Sequence, residues 1–171
     1  MRQVQWYIRT KKLIGSFVAK IPVIFVQKTT MTLILCMLGA VALYFIAGIH
    51  FFWAFGGKWG LMAAIPTQPD GELAMNPGPI ATFIVGFFFS LLACFVLHPV
   101  LNLTELFPNF MVKHGFKLIG LVFLIRAIGD FNFVGMFKKI KQTTFAKYDR
   151  AYFTPLCLFL FGLLMLLDIN S

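Results

Sequence analysis

The chain has 171 residues, of which 60% are hydrophobic and only 12% are charged, whereas a soluble domain keeps roughly 25% charged residues. This composition excludes an ordinary soluble protein and indicates a single domain whose apolar side chains face lipid as well as each other. The net charge of +9 comes from cations that flank apolar runs, so we expect attraction to anionic membrane lipids and no binding of nucleic acid.

The first 30 residues form a basic segment that precedes the long apolar runs. Its own apolar run, residues 13–27, is interrupted by Lys20 and Pro22. This run is too short and too charged to span a membrane, which takes about 20 helical residues. We therefore predict that residues 1–30 are an amphipathic segment lying in the membrane interface. By the positive-inside rule this basic tail favours a cytoplasmic N-terminus, whereas the basic loop 138–150 favours the opposite orientation. Of the two, we favour the cytoplasmic N-terminus.

The remaining chain, residues 31–171, is predicted to be a transmembrane domain. Four apolar runs are predicted to cross the membrane as helices, because unpaired backbone groups in lipid are costly. These predicted spans are residues 31–55, 79–101, 116–137 and 152–167. The predicted fold is thus an all-α, four-helix bundle of a multi-pass protein in the cell membrane.

A long loop, residues 56–78, joins the first two predicted spans. It contains three prolines, and its apolar residues Trp59 and Leu61 are unusual for a solvated tether. Loops of this length are commonly functional or disordered. We predict that this loop folds into a compact cap over one end of the bundle.

Arg126 and Asp130 are charged residues within the predicted third span. An ionisable side chain at membrane depth costs about 2.5–3.5 kcal/mol on insertion scales, which makes it a candidate functional residue. Their spacing of four residues places both on one helical face, where we expect them to form an ion pair. The pair either only ties helices together, or Arg126 binds an anionic or polar group that Asp130 orients or protonates.

His50 and Trp53 lie one helical turn apart near the end of the first predicted span. In an antiparallel bundle this end and the end of the third span share one membrane face. We therefore expect His50 and Trp53 to converge with Arg126 and Asp130 beneath the loop cap. By contrast, Asp149 precedes the fourth span and is expected to lie in a solvated loop, with a local pair to Lys147 as the alternative.

Metal and cofactor sites are not predicted. His98 and His114 lie at the opposite membrane face, and neither has a second ligand at a metal-binding spacing. The three cysteines each lie inside an apolar run without paired spacing, which argues against a zinc site or a disulfide framework.

Two stretches of the sequence resemble one protein family. They are GIHFFWAFGGKWG at residues 48–60 and RAIGDFNFVGMFKK at residues 126–139, the latter followed by TTFAKYDRAYFTPLC. Over roughly residues 31–168 the chain resembles the domain-of-unknown-function 3995 family of small bacterial membrane proteins. The resemblance implies four membrane spans and brings no established activity, cofactor or substrate. The residues that match the family pattern are His50, Trp53, Gly56, Gly57, Trp59, Gly60, Pro66, Thr67, Arg126, Asp130 and Pro155.

Three functions remain open for this chain. The favoured one is a protein that binds a lipid or small amphiphile at the loop-capped end of the bundle. Its predicted ligand-binding residues are His50, Trp53, Trp59, Thr67, Arg126 and Asp130. An alternative is an enzyme acting on a lipophilic substrate, with His50 or Asp130 as acid–base and Arg126 stabilising negative charge. The third is a structural or accessory membrane subunit in which polar residues only fix helix packing.

Overall fold

A computed structural model of the chain describes residues 29–68, 70 and 72–170. This described part is helical and contains no strand; Thr67 and Leu73 form an isolated backbone bridge within a loop. The predicted interfacial segment, residues 1–30, lies outside the described residues except for Thr29 and Thr30, which are part of the first helix.

Six α-helices follow one another along the described part of the chain. They are α1 (Thr29–Ala54), α2 (Leu61–Ala64), α3 (Pro79–Leu101), α4 (Asn109–Ile128), α5 (Thr144–Tyr148) and α6 (Thr154–Asn170). A short 3-10 turn, Thr104–Leu106, precedes α4. A π-helical turn, Asp149–Phe153, joins α5 to α6, so that residues 144–170 run as one continuous helix.

Three helices of the described part are long and apolar enough to cross a membrane. They are α1, α3 and the continuous helix of residues 144–170. Helix α4 is not among them, and its 20 residues include Lys113, Lys117 and Arg126.

The predicted third span, residues 116–137, begins inside α4 but is wrong at its C-terminal end, which runs beyond the helix. Helix α4 begins at Asn109, because Pro108 precedes it in an extended conformation that suits a helix start. It ends at Ile128, because the next residue, Gly129, has a φ of 94° that takes the chain out of the helix. Asp130 therefore lies in a loop and not on the helix that carries Arg126.

One hydrophobic core cluster draws its buried side chains from α1, α3, α4 and α6. Its members include Leu43, Phe95, Phe116 and Leu164, one from each of these helices. Helix α4 packs along α6, while α1 approaches α3 closely at Gly86, beside the side chain of Phe51. The four long helices thus share one apolar interior.

The loop after α1 turns sharply and lies against α5. Gly56 and Gly60 take φ values of 93° and 72°, which glycine adopts without steric cost. Helix α2, which lies in this loop, packs against α5. The contact places the loop beside the chain segment that leads into α6. We call this end of the helices, residues 55–78 and 129–153, the loop-1 end.

Candidate functional site

Asp149 is the centre of a buried polar cluster at the loop-1 end. Its carboxylate accepts a hydrogen bond from Lys138 Nζ at 2.6 Å and one from Arg126 Nη2 at 2.9 Å. The backbone N–H of Gly135 and the hydroxyl of Thr154 donate to the same carboxylate at 2.9 and 3.3 Å. Because Asp149 is fully buried, these four donors are what stabilise its negative charge. We call these five residues the Asp149 cluster.

The two cations of the Asp149 cluster differ in their surroundings. Lys138 is only 2% exposed, and its Nζ also donates to the Gly135 carbonyl at 3.2 Å. The Arg126 side chain is 34% exposed, although its Nη1 atom is buried and has no hydrogen-bond partner among the described residues. Lys138 is therefore bonded to two acceptors inside the protein, whereas Arg126 keeps an unused donor nitrogen at the edge of the cluster.

The loop after α4 folds back on that helix and so builds one side of the cluster. The N–H of Met136 donates to the carbonyl of Ala127 at 2.9 Å. Gly129 and Gly135 both have positive φ, and their backbones touch where the loop closes. A Cβ on Gly129 would overlap the Val134 carbonyl, so this turn needs glycine. The turn is what brings the Gly135 N–H and Lys138 to Asp149.

Asp130 shapes this loop, and the predicted ion pair between Arg126 and Asp130 is wrong. Its Oδ1 accepts the backbone N–H groups of Asn132, Phe133 and Val134 at 2.8–2.9 Å. Burial raises the pKa of Asp130, but these backbone hydrogen bonds outweigh it and hold the pKa below its usual value. Asp130 is therefore ionised at neutral pH. Its carboxylate is bonded to backbone N–H groups of its own loop, whereas Arg126 pairs with Asp149.

The π-helical turn positions Asp149 and Thr154 next to each other. Within it, the N–H of Thr154 donates to the Asp149 carbonyl, five residues earlier. Pro155 follows, and its missing N–H and bulky ring disturb regular α-helical bonding over the preceding turn. The wider turn brings the Thr154 hydroxyl to the Asp149 carboxylate. Pro155 is therefore adjacent to the Asp149 cluster in sequence but is not one of its five residues.

His50 belongs to a separate aromatic group on α1. Its Nδ1 lies 2.8 Å from the Ile46 carbonyl, and its ring lies edge-on to Trp53 at a centroid distance of 5.3 Å. The ring also contacts Phe89 at 5.5 Å, and Phe89 contacts Phe123 at 6.5 Å. Phe123 is one helical turn before Arg126 on α4. These contacts connect His50 to α4 through two phenylalanine rings.

Trp53, Trp59 and Thr67 hold the loop between α1 and α3 in place. The indole N–H of Trp53 donates to the backbone carbonyl of Trp59 at 2.8 Å, while the Trp59 ring is 76% exposed. Thr67 bridges to Leu73 through the backbone. Of the predicted ligand-binding residues, Arg126 is thus the one that lies in the Asp149 cluster.

Trp53→Phe is expected to loosen this loop. The substitution removes the indole donor and leaves the Trp59 carbonyl without it, a loss of about 1 kcal/mol. Limited proteolysis should therefore cleave residues 56–78 faster in this variant than in the wild type. Trp59→Phe is the matched control, because Trp59 contributes its backbone carbonyl and keeps it. Equal cleavage rates for Trp53→Phe and Trp59→Phe would show that the hydrogen bond does not hold the loop.

An open apolar groove of about 440 Å³ runs along α1 and ends at the loop. It is lined by Tyr44, Phe45, Gly48, Ile49, Phe52 and Trp59. The groove contains no charged side chain and no member of the Asp149 cluster. Its chemistry suits hydrocarbon, so the cluster, not the groove, is the candidate polar site.

Metal-binding groups are absent from the part of the chain that the structure describes. No group of three or more His, Cys, Asp or Glu side chains there has the arrangement to hold a metal ion. The Asp149 cluster has one carboxylate facing two cations, so it offers donors to a ligand and not metal ligands.

Lys138 and Asp149 are the site residues that sequence reasoning missed. Asp149 does not lie in a solvated loop, and its partners are Lys138 and Arg126, not the neighbouring Lys147. Their signal was weak, because Lys138 stands among exposed cations and Asp149 beside Arg150. The position of Asp149 just before the apolar run of the fourth predicted span was the hint of a partner for Arg126.

Comparison with known proteins gives one family match. The family described as "Protein of unknown function (DUF3995)" matches residues 43–165. This range contains all five residues of the Asp149 cluster, together with His50, Trp53 and the loop that follows α1. Neither a curated protein nor a solved structure matches the chain.

Proposed function

The chain belongs to the DUF3995 family of proteins of unknown function, and we propose that it is a four-helix integral membrane protein that binds a lipid or small amphiphile. In this proposal α1, α3, α4 and the continuous helix of residues 144–170 cross the membrane in antiparallel order. The polar head of the ligand binds at the Asp149 cluster, and its apolar part remains in the hydrocarbon between or beside the helices.

The outward surface of the helices supports membrane insertion. Large apolar side chains are exposed on all four long helices, among them Val41, Ile84, Val122 and Phe159. A soluble protein rarely exposes such surface over more than a few hundred Å². Helix α4, the third long helix along the chain, can be added to the three apolar helices as a further span. Its 20 residues extend about 30 Å, the thickness of the hydrocarbon core.

The charges of α4 are compatible with a span because of where they lie. Lys113 is near the start of the helix, where a long side chain reaches the headgroup region. Lys117, the ninth of the 20 residues, forms an ion pair at 3.2 Å with Asp168 near the end of α6. Arg126 is near the opposite end of α4 and is paired with Asp149. The residues between Lys117 and Arg126 are uncharged, and in this proposal they are the part of α4 that meets hydrocarbon.

Arg126 carries the binding proposal, through its buried Nη1 atom without a partner among the described residues. A guanidinium has five N–H donors in a planar fork, and Asp149 engages Nη2. A buried donor without an acceptor costs about 1–3 kcal/mol, and more if it is charged. A ligand oxygen at Nη1 would remove that cost. The Arg126 side chain as a whole is 34% exposed although Nη1 is buried, so in this proposal a ligand approaches from the surface and the side chains over Nη1 move aside, while Lys138 and Asp149 stay in place.

Native mass spectrometry of the full chain, purified in mild detergent with total membrane lipid extract, tests this function. We expect the wild type to retain one lipid or amphiphile per protein. Arg126→Lys, which keeps the positive charge beside Asp149 but has no second nitrogen, should retain less. Arg150→Lys is the matched control, because Arg150 is exposed at the same end. A wild type that retains no lipid or amphiphile from the extract would overturn the proposed function.

A further inference from the structure

We propose that the group bound by Arg126 is anionic, a carboxylate or phosphate oxygen that accepts from Nη1. This inference rests on the proposed function and adds to it the charge of the ligand. The proposed function needs only an acceptor oxygen, which a neutral lipid also has. The inference requires that the acceptor carry negative charge.

The charge balance of the Asp149 cluster is the first argument. Arg126 and Lys138 each carry one positive charge and Asp149 one negative charge, so the cluster has a formal charge of +1. Lys138 and Asp149 are almost completely buried and opposite in charge, so the excess positive charge is that of Arg126, whose buried Nη1 has no acceptor among the described residues. One negative charge at Arg126 brings the formal charge to zero, and a neutral headgroup leaves it unchanged.

The acidic side chain nearest to Arg126 in the sequence, Asp130, does not bind its free donor. Asp130 uses its Oδ1 to accept three backbone N–H groups of its own loop. Its carboxylate is thereby fixed by the turn that follows α4, whereas Arg126 bonds to Asp149, 23 residues away along the chain. Asp130 therefore does not bind Arg126, and Nη1 remains without an acceptor among the described residues.

The surface around the cluster also favours an anion. Four exposed cations lie in the same segment of the loop-1 end: Lys139, Lys141, Lys147 and Arg150. A group of like charges raises the local concentration of oppositely charged molecules and of anionic headgroups. These cations attract anions to this end of the protein, while Arg126 has the donor that binds one.

The planar shape of the guanidinium makes it possible to distinguish specific binding at Arg126 from general attraction by the exposed cations. Arginine binds carboxylate and phosphate through its planar fork, and here one side of the fork is occupied by Asp149. The free donor on Nη1 belongs to the other side. Lysine at this position can keep the bond to Asp149 and the same charge, but it has no second donor nitrogen. Arg126→Lys therefore removes the proposed contact without changing the net charge.

The test measures binding of defined lipids to the full chain in detergent, read as the shift of its thermal unfolding midpoint. Phosphatidylglycerol provides an anionic phosphate in its headgroup, whereas diacylglycerol with the same acyl chains has neutral acceptor oxygens and no phosphate. We expect the wild type to bind phosphatidylglycerol about tenfold more tightly than diacylglycerol. This ratio of affinities corresponds to one charge-assisted hydrogen bond. Arg126→Lys should reduce this preference to about twofold, because the exposed cations remain. Arg150→Lys should keep the tenfold preference.

Added inorganic phosphate distinguishes the two sources of the anion. Phosphate that displaces phosphatidylglycerol and stabilises the protein by itself would identify a free anion as the ligand. Phosphate without either effect would identify the anionic lipid. If Arg126→Lys does not fold, the inference is tested on the wild type alone. Its preference for one lipid over the other is then measured by competition between the two lipids at low and high salt.

Two results would overturn the inference. One is equal binding of phosphatidylglycerol and diacylglycerol by the wild type, which would leave lipid binding standing but refute an anionic ligand. The other is a full preference for phosphatidylglycerol in Arg126→Lys, which would assign that preference to the surface cations. Binding of neither lipid, and of no lipid from the membrane extract, would refute the proposed function as well.

Discussion

Asp149→Asn is expected to lower the free energy of unfolding by about 3–5 kcal/mol, because it leaves buried Lys138 facing Arg126 without a counter-charge. Removing one partner of a buried ion pair costs more than the pair itself contributes, since the remaining charge stays out of water. Equilibrium unfolding in mixed detergent micelles, followed by the tryptophan fluorescence of the folded chain, measures the loss.

The protein offers a matched control for this substitution in its exposed ion pair. Lys117 Nζ lies 3.2 Å from Asp168, and the Lys117 side chain is 54% exposed. Lys117→Gln should therefore cost no more than about 1 kcal/mol. If the buried charge of Lys138 causes the loss, Lys138→Met added to Asp149→Asn should recover part of it. An Asp149→Asn variant as stable as Lys117→Gln would contradict the structural role of the cluster.

Gly135→Ala is expected to cost more than about 3 kcal/mol or to prevent folding. Its φ of 87° alone costs a residue with a Cβ roughly 1–2 kcal/mol. The added Cβ would also overlap the backbone of Ile128 and Gly129, which cannot move aside as a flexible side chain can. Any shift that relieves this overlap withdraws the Gly135 N–H from Asp149.

The control for Gly135→Ala is the same change where there is room for it. Gly162 lies within α6, and a Cβ there would meet nothing within 4 Å. Gly162→Ala should therefore be neutral or stabilising by up to about 1 kcal/mol, because alanine favours a helix more than glycine. The two variants are compared in the same unfolding experiment. Similar midpoints for both would show that the turn after α4 tolerates a side chain.

The helical class and the apolar helices were predictable because they depend on local sequence. Hydrophobic runs of helical length define α1 and α3 without any knowledge of the tertiary contacts. The end of α4 was not predictable in this way, since residues 131–137 continue the apolar pattern beyond Gly129. A single glycine inside an apolar run is compatible with a helix, and only its positive φ shows that this helix ends there.

The partner of Arg126 was missed for a related reason. Spacing rules identify neighbours on one helix, and they favoured Asp130, four residues on. The observed partner is Asp149, which becomes a neighbour of Arg126 only when α4 and α6 are packed together. Burial of Lys138 depends in the same way on the folded loop, because its sequence neighbours Lys139 and Lys141 are exposed. Arg126 itself was identified correctly as a residue needing a partner.

The ion pair between Arg126 and Asp149 has a consequence for the biogenesis of a four-span protein. Helix α4 is the least apolar of the four long helices, so it is the poorest candidate to enter a bilayer alone. Its arginine is matched by a carboxylate at the start of the following helical segment. In the proposed topology α4 and α6 would therefore partition into the bilayer together, as a helical hairpin whose two charges already compensate each other.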